Sequence, residues 1–228
     1  MEELTRRTLP NKFPIPMCRQ IIKQVLLGLD FLHRQCGIVH TDLKLDNFLL
    51  RPSDTRGIPT LGGSDSPKID LSQVSLGQSA VVISDLGVAI QRVIQPYALH
   101  APKVYLRIPY GPSADIWNMG CLAFQLVTYC WLFNPKAGAQ WSQDDDILGR
   151  WCRSMASNHF QSMSWPVENS VINILTSLVT FEDTTSERIL SKDEPELLAD
   201  MLSCMLRLRP DDRESASELL SHPWLRDA

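Results

Sequence analysis

Ile38-Val39-His40-Thr41-Asp42-Leu43-Lys44-Leu45-Asp46-Asn47-Phe48-Leu49-Leu50 is the stretch of this sequence richest in groups that could do chemistry. Asp42 and Asn47 stand four intervening residues apart, with Lys44 between them. A carboxylate can accept or orient a proton, an ammonium can stabilise negative charge, and an amide oxygen can hold a hard cation. Taken alone, a surface turn rich in Asp, Lys and Asn would look the same. A further carboxylate, Asp85 in Ser84-Asp85-Leu86-Gly87, directly follows the apolar run from Ala80 to Ile83. An isolated Asp-x-Gly is again ordinary turn chemistry.

The elements that must position these groups can be read from periodicity. Ile21, Ile22, Val25, Leu26, Leu29 and Leu32 recur at three- and four-residue steps, predicting an amphipathic helix entered through Pro14 and Pro16 and stopped near Gly37. Ile38-Val39 and Phe48-Leu49-Leu50 read as short extended segments around the Asp42 turn, and Ala80–Ile83 as a strand. Residues 51–80, rich in Ser, Asp, Gly and Pro, read as a loop insertion. Residues 88–112 are irregular, broken by Pro96, Pro102, Pro109 and Pro112. A strongly apolar helix is predicted from Ser113 to about Phe133, with Ser113 as N-cap and Asp115 in its first turn. Residues 134–194 read as a variable helical and loop insertion. Helical spacing returns from Pro195 to Leu206 and again from about Ser215 to Leu220. The whole, 1–228, reads as one α+β, mainly α, domain.

Composition narrows the classes. The 228 residues, 44% hydrophobic, suffice for one sizeable core. A net charge of −4 lacks the basic excess of a general nucleic-acid binder, so no direct nucleic-acid partner is expected. No apolar run reaches the ~18–20 residues needed to span a membrane, and residues 1–20 carry charges and prolines unlike a signal peptide. The six cysteines include no C-x-x-C pair, so neither a disulfide framework nor a zinc site is assigned. Cys121, Cys130 and Cys204 read as core residues, and a reducing cytoplasmic or nuclear setting is expected.

Five segments in this order resemble the C-terminal lobe of eukaryotic protein serine/threonine kinases. His40-Thr41-Asp42 through Asn47 resembles the catalytic loop H-R-D-x-x-x-x-N, and Asp85-Leu86-Gly87 resembles D-F-G with Leu for Phe. His100-Ala101-Pro102-Lys103 resembles A-P-E, and Asp115-Ile116-Trp117-Asn118-Met119-Gly120 resembles D-x-W-[ST]-x-G. Arg213, followed by His222-Pro223-Trp224, matches the family's late arginine. The resemblance covers most of residues 11–133 and 195–225. It implies a kinase-like lobe with short strands around the catalytic loop, using ATP and Mg²⁺. By the same resemblance Asp42 is the catalytic base, Lys44 the phosphate contact, Asn47 and Asp85 the metal ligands, and Leu49 the floor of the adenine pocket. His40 packs the loop, and Asp115 accepts hydrogen bonds from the loop backbone.

A narrower resemblance is to the SR-protein kinases, which act on Arg-Ser-rich proteins. It rests on Thr41 in place of the usual Arg, on Leu86, and on Tyr110-Gly111-Pro112-Ser113-Ala114-Asp115-Ile116-Trp117. The usual Arg pairs with a phosphorylated activation loop, so Thr41 implies independence from that switch. Asp144, Asp145 and Asp146 fall where that family carries an acidic groove for basic substrate; a solvated, helix-starting charge run is the alternative.

The sequence also departs from the pattern. Before His40 there is no G-x-G-x-x-G and no V-A-I-K-like lysine, where a kinase devotes ~80–100 residues to a five-stranded lobe. The N-terminal lobe is therefore expected to be absent, leaving an apolar rim for a partner chain to cover. Phosphoryl transfer rests on positioning worth ~7–11 kcal/mol, so the isolated chain is expected to be weak or inactive. A pseudokinase-type module docking basic partners is the alternative, and a degenerate gene fragment a third. Lys103 replaces a Glu that pairs with the late arginine, so two like charges, Lys103 and Arg213, are expected to face each other. The segment from Gly87 to His100 is short for an activation loop. His33 reads as a surface or capping group, Trp131, Trp141, Trp151 and Trp165 as packing residues, and His159 lacks a metal-spaced companion.

Overall fold

The structure is a computed structural model and describes residues 13–51, 80–86, 99–106, 109–133, 136–156 and 194–226. Helix α1, Ile15–Phe31, starts where Pro14 and Pro16 supply preset φ angles, and buries Ile21, Ile22, Val25, Leu26 and Leu29 on one stripe. A single π turn, Leu32–Cys36, widens its end before Gly37 closes it at φ 65°, a left-handed geometry glycine adopts without strain.

The chain then runs to the Asp42 turn. Ile38 N–H bonds the Leu32 carbonyl at 2.9 Å, but Ile38-Val39 joins no strand among the described residues, so the loop is bracketed by a sheet on its downstream side alone. After a 3-10 turn at Leu45–Asn47 comes β1, Phe48–Arg51, antiparallel to β2, Ala80–Ile83, with Phe48 opposite Ile83 and Leu49 opposite Val82. Alternation puts Phe48 in the core and leaves Leu49 and Val82 exposed on the other face. Most of the 51–80 insertion between them lies outside the described residues.

A four-residue helix, α2 (Pro102–Tyr105), precedes the central helix α3, Pro112–Thr128. Two boundaries of α3 correct the sequence reading. Gly111, not Ser113, is the N-cap, because Pro112 already carries helical φ at the first position. The helix ends at Thr128, not near Phe133: Thr128 Oγ1 bonds the Phe124 carbonyl at 2.8 Å and accepts Cys130 N–H at 3.1 Å, while Tyr129 turns left-handed at φ 61°. Cys130, beyond that stop, is consequently exposed rather than in the core, whereas Cys121 and Cys204 are buried as expected.

Helices α4 (Gln143–Ala156), α5 (Glu194–Met205) and α6 (Ala216–Leu219) complete the architecture. Residues Ala114 to Phe124 of α3 are buried without a break, with α1 and α5 packed against the helix. The approach of α5 explains Gly120: a Cβ there would stand 2.9 Å from Leu206 Cδ2 and 3.1 Å from Met205 Cβ. α6 is held by a reciprocal cap in which Ser215 Oγ accepts Glu218 N–H and the Glu218 carboxylate accepts Ser215 N–H. The aromatic residues expected to pack include two that do not bury: Trp131 and Trp141 are exposed, in the segment between α3 and α4. The Trp151 side chain, Trp165 and His159 lie outside the described residues.

Candidate active site

Asp115, in the first turn of α3, organises the Asp42 turn from 73 residues further along the chain. Its side chain is fully buried, and its oxygens accept His40 N–H at 2.7 Å and Thr41 N–H at 2.9 Å. These bonds fix a strained stretch of backbone: Thr41 sits at φ 68°, a left-handed geometry that β-branched residues avoid. A buried carboxylate needs such partners, since an unpaired one costs several kcal/mol, of order 3–5.

The Asp115 carboxylate has a third partner that the sequence reading misplaced. His33 Nε2 lies 2.8 Å from Asp115 Oδ2, and the His33 side chain is 8% exposed. His33 is therefore neither a surface nor a capping group. One signal was in the sequence: it stands four residues after Leu29, on the stripe α1 buries, and the π turn carries that stripe onward.

His40 ties the turn to β2. Its Nδ1 accepts Asp42 N–H at 3.3 Å, so Nε2 carries the ring proton and donates to the Ser84 carbonyl at 3.0 Å. From the other side, Ser84 N–H and Oγ both donate to the Asn47 carbonyl, at 2.8 and 3.0 Å. The two bonds hold the start of Ser84-Asp85 against Asn47. Asp85 itself is exposed at φ 65°, a conformation that Asp tolerates better than most residues.

Between these anchors lie the chemical groups. Lys44 Nζ lies 2.7 Å from Asp42 Oδ2, and both side chains are partly accessible. The hydrogen bond that Lys44 donates to the Asp42 carboxylate holds its ammonium above the ordinary range, with the charges of Asp42, Asp85 and Asp46 adding to it against the cost of burial. Asn47 is buried, and its Nδ2 donates to the Asp42 carbonyl at 2.9 Å. Asp42, Asp46 and Asp85 thus set carboxylate oxygens around one lysine, with Asn47 bonded to the same turn through its Nδ2; carboxylate oxygens are what Mg²⁺ takes and an ammonium suits phosphate. Leu49 is 51% exposed beside them.

The remaining sequence-selected residues are placed elsewhere. Arg213 is buried, and its guanidinium donates to the carbonyls of Arg207 (2.6 Å), Ser113 (2.8 Å) and Leu208 (3.1 Å) and lies 4.9 Å over the Trp117 ring. Burial pushes it down to about 10, still charged at neutral pH. Its fork is filled by carbonyls, no carboxylate bonds it among the described residues, and the half-buried Lys103 of α2 is not among the charges that act on it. Asp144, Asp145 and Asp146 occupy the first turn of α4, with Asp145 exposed and the other two half-buried. The Asp145 carboxylate accepts Ser142 N–H and Oγ–H at 2.8 and 2.7 Å, and Asp146 accepts Lys136 N–H at 3.1 Å.

A helical lobe with a buried aspartate clamping a loop of Asp, Lys and Asn, beside an Asp at a strand end, defines the protein-kinase class. The chain matches the protein kinase domain family over residues 2–225 and belongs to it. It is 28% identical over 262 residues to "Serine/threonine-protein kinase SRPK" of Physarum polycephalum, covering 94% of this chain and 62% of the relative. It is 33% identical over 163 residues to "Serine/threonine-protein kinase SKY1" of Saccharomyces cerevisiae, covering 64% of this chain and 22% of the relative. With "Dual specificity protein kinase lkh1" of Schizosaccharomyces pombe it shares 29% over 232 residues, covering 93% of this chain and 32% of the relative. The chain thus spans less than two thirds of the length of these relatives. No helix among the described residues is long and apolar enough to cross a membrane.

Proposed function

We propose that this chain carries the phosphoryl-transfer loop of a serine/threonine protein kinase acting on Arg-Ser-rich protein, and that as an isolated chain it works weakly or not at all. The observation that carries the first half is the clamp on the Asp42 turn: Asp115 fixes the backbone on one side and His40 and Ser84 on the other. In this reading Asp42 orients the substrate hydroxyl and takes its proton, Lys44 steadies charge on the transferred group, and Asn47 and Asp85 hold the metal. Bound Mg–ATP would supply the transferable phosphoryl group. Leu49 floors the adenine site, and the setting is cytoplasmic or nuclear.

The second half is supported by apolar surface. Leu27 and Phe31 of α1, one turn apart, and the cross-strand pair Leu49 and Val82 are all exposed. A nucleotide-covering lobe, on this or a partner chain, would bury such groups. The alternative, a non-catalytic module docking basic partners, is supported by the partly exposed Asp144–Asp146 run, although Asp145 and Asp146 are already engaged in local bonds.

The test is phosphate incorporation into an Arg-Ser peptide by the purified chain with Mg–ATP. Slow incorporation, abolished in Asp42→Asn, is expected. Rapid incorporation lost in that variant would keep the kinase assignment and overturn the claim of weakness. Incorporation unchanged in Asp42→Asn would overturn the assignment of Asp42. Peptide binding without Mg–ATP binding, weakened by Asp144→Asn, would favour the docking module.

A further inference from the structure

One side-chain cluster far along the chain from the Asp42 turn has no part in phosphoryl transfer. Asp200, Cys204 and His222 each offer one ligand atom to a common space, and these atoms all lie within 4.8 Å of one another. Asp200 and Cys204 stand four residues apart on α5, so they share a face. His222 comes in from the segment after α6, where its Nδ1 accepts Trp224 N–H at 3.2 Å and its Nε2 lies 3.2 Å from Asp200 Oδ2. Glu214 N–H donates to the Cys204 carbonyl at 3.3 Å, which ties the segment before α6 to the end of α5. Cys204 and His222 are buried, while the Asp200 side chain is 67% exposed, so the cluster has a closed floor and an open mouth.

We propose that Asp200, Cys204 and His222 bind a zinc-class divalent cation, with the fourth position left to water at the exposed mouth. The donor set is one sulfur, one imidazole nitrogen and one carboxylate oxygen, the mixture zinc prefers, whereas Mg²⁺ and Ca²⁺ take oxygen ligands. Bonds of about 2.0–2.3 Å would bring tetrahedral ligand atoms to roughly 3.4–3.8 Å from each other. The cluster is a small side-chain adjustment from that spacing. Spacing rules miss the site in sequence because Cys204 and His222 are brought together by tertiary structure.

Binding has defined proton consequences. Without metal, burial foremost, then the carboxylates of Glu214 and Asp200, push the Cys204 thiol up to about 11, so it is protonated. As the metal arrives the S–H bond breaks, the proton leaves to solvent through the open mouth, and the sulfur bonds the metal. At His222 the metal takes the Nε2 lone pair. The Nε2 proton is replaced by one on Nδ1, and the hydrogen bond from Trp224 N–H opens. Occupancy is therefore coupled to the Pro223–Leu225 turn, whose Trp224 ring lies 5.3 Å from the Arg19 guanidinium.

Titration of the reduced full chain with Cd²⁺ tests this through the thiolate-to-cadmium absorbance in the near ultraviolet. The expected result is a saturable band at one Cd²⁺ per chain, displaced by Zn²⁺ and untouched by Mg²⁺. Cys204→Ser abolishes it, and Asp200→Asn weakens binding by at least about tenfold. Cys36→Ser, Cys130→Ser and Cys152→Ser together leave it intact. A band that survives Cys204→Ser, or vanishes with the other three cysteines, overturns the site. Should Cys204→Ser fail to fold by its metal-free melting curve, Asp200→Asn decides alone, being at an exposed position; unchanged Cd²⁺ affinity there overturns the proposal.

Discussion

Asp115 and the run Asp144–Asp146 are the same residue type in helix first turns, yet they do opposite things. Asp115 is fully buried and takes its partners from the π turn after α1 and from the Asp42 turn, at least 74 residues away in sequence. Asp145 and Asp146 are exposed or nearly so and bond groups three and ten residues away. A carboxylate with long-range partners fixes tertiary geometry; one with local partners starts a helix and leaves its charge in water. Position in the first turn of a helix does not distinguish the two cases, but the surrounding residues do, since α3 is apolar on every side while α4 opens with three consecutive aspartates.

The sharpest way to break the comparison is Asp115→Ala. Removing the carboxylate leaves His40 N–H, Thr41 N–H and the His33 ring without their acceptor, an expected loss of about 3–5 kcal/mol. Urea denaturation should show the loss, and hydrogen exchange should show His40 and Thr41 amides losing protection. A chain as stable as the wild type would mean the clamp does not hold the loop.

His33→Ala comes next. It removes one charge-assisted bond from Asp115 and leaves the two backbone bonds, so about 1.5–3 kcal/mol is expected. His33→Gln, which keeps an N–H donor, should recover part of it. Full stability in His33→Ala would return His33 to the surface role that its sequence position first suggests.

These two residues mark what could be read in advance. The α1 stripe, both strands of the sheet, the apolar α3 and the short α6 all follow from local period, whereas the Ser215 cap of α6 is a finding of the structure. Helix ends were less legible: α3 starts at Pro112 and stops at Thr128 through a backbone φ preference and a hydroxyl cap that apolar periodicity does not encode. The site's residues were legible as a motif, but its mechanics were not. That Thr41 would be left-handed, that Ser84 would bond Asn47 twice and that His40 would span from Asp42 to Ser84 are tertiary facts with no local signature.

Lys103→Glu probes the other buried ionic group. Arg213 holds its charge with three carbonyls and a tryptophan ring, without a carboxylate among its described partners. A glutamate at position 103 is expected to add about 1 kcal/mol, below a full charge-assisted bond because the fork is already occupied. A raised melting temperature supports that; an unchanged or lower one means the carbonyl cage suffices.

Asp145→Asn should have the smallest effect, and its pH dependence carries the information. Hydrogen bonds from Ser142 N–H and Oγ–H hold the Asp145 carboxyl below the ordinary carboxylate range. A carboxyl depressed in the folded state binds its proton more readily when unfolded. Its contribution is therefore present above the ordinary carboxylate range and is lost as pH falls through the lower folded value. The asparagine variant should melt slightly earlier than the wild type at neutral pH, and the difference should shrink toward zero in acid. The shift should stay well under that of His33→Ala, because Asp145 is exposed and screened by water. If instead Asp145→Asn matched His33→Ala in size, the acidic run would be a structural anchor like Asp115, and neutralising it to test substrate docking would no longer leave the fold undisturbed.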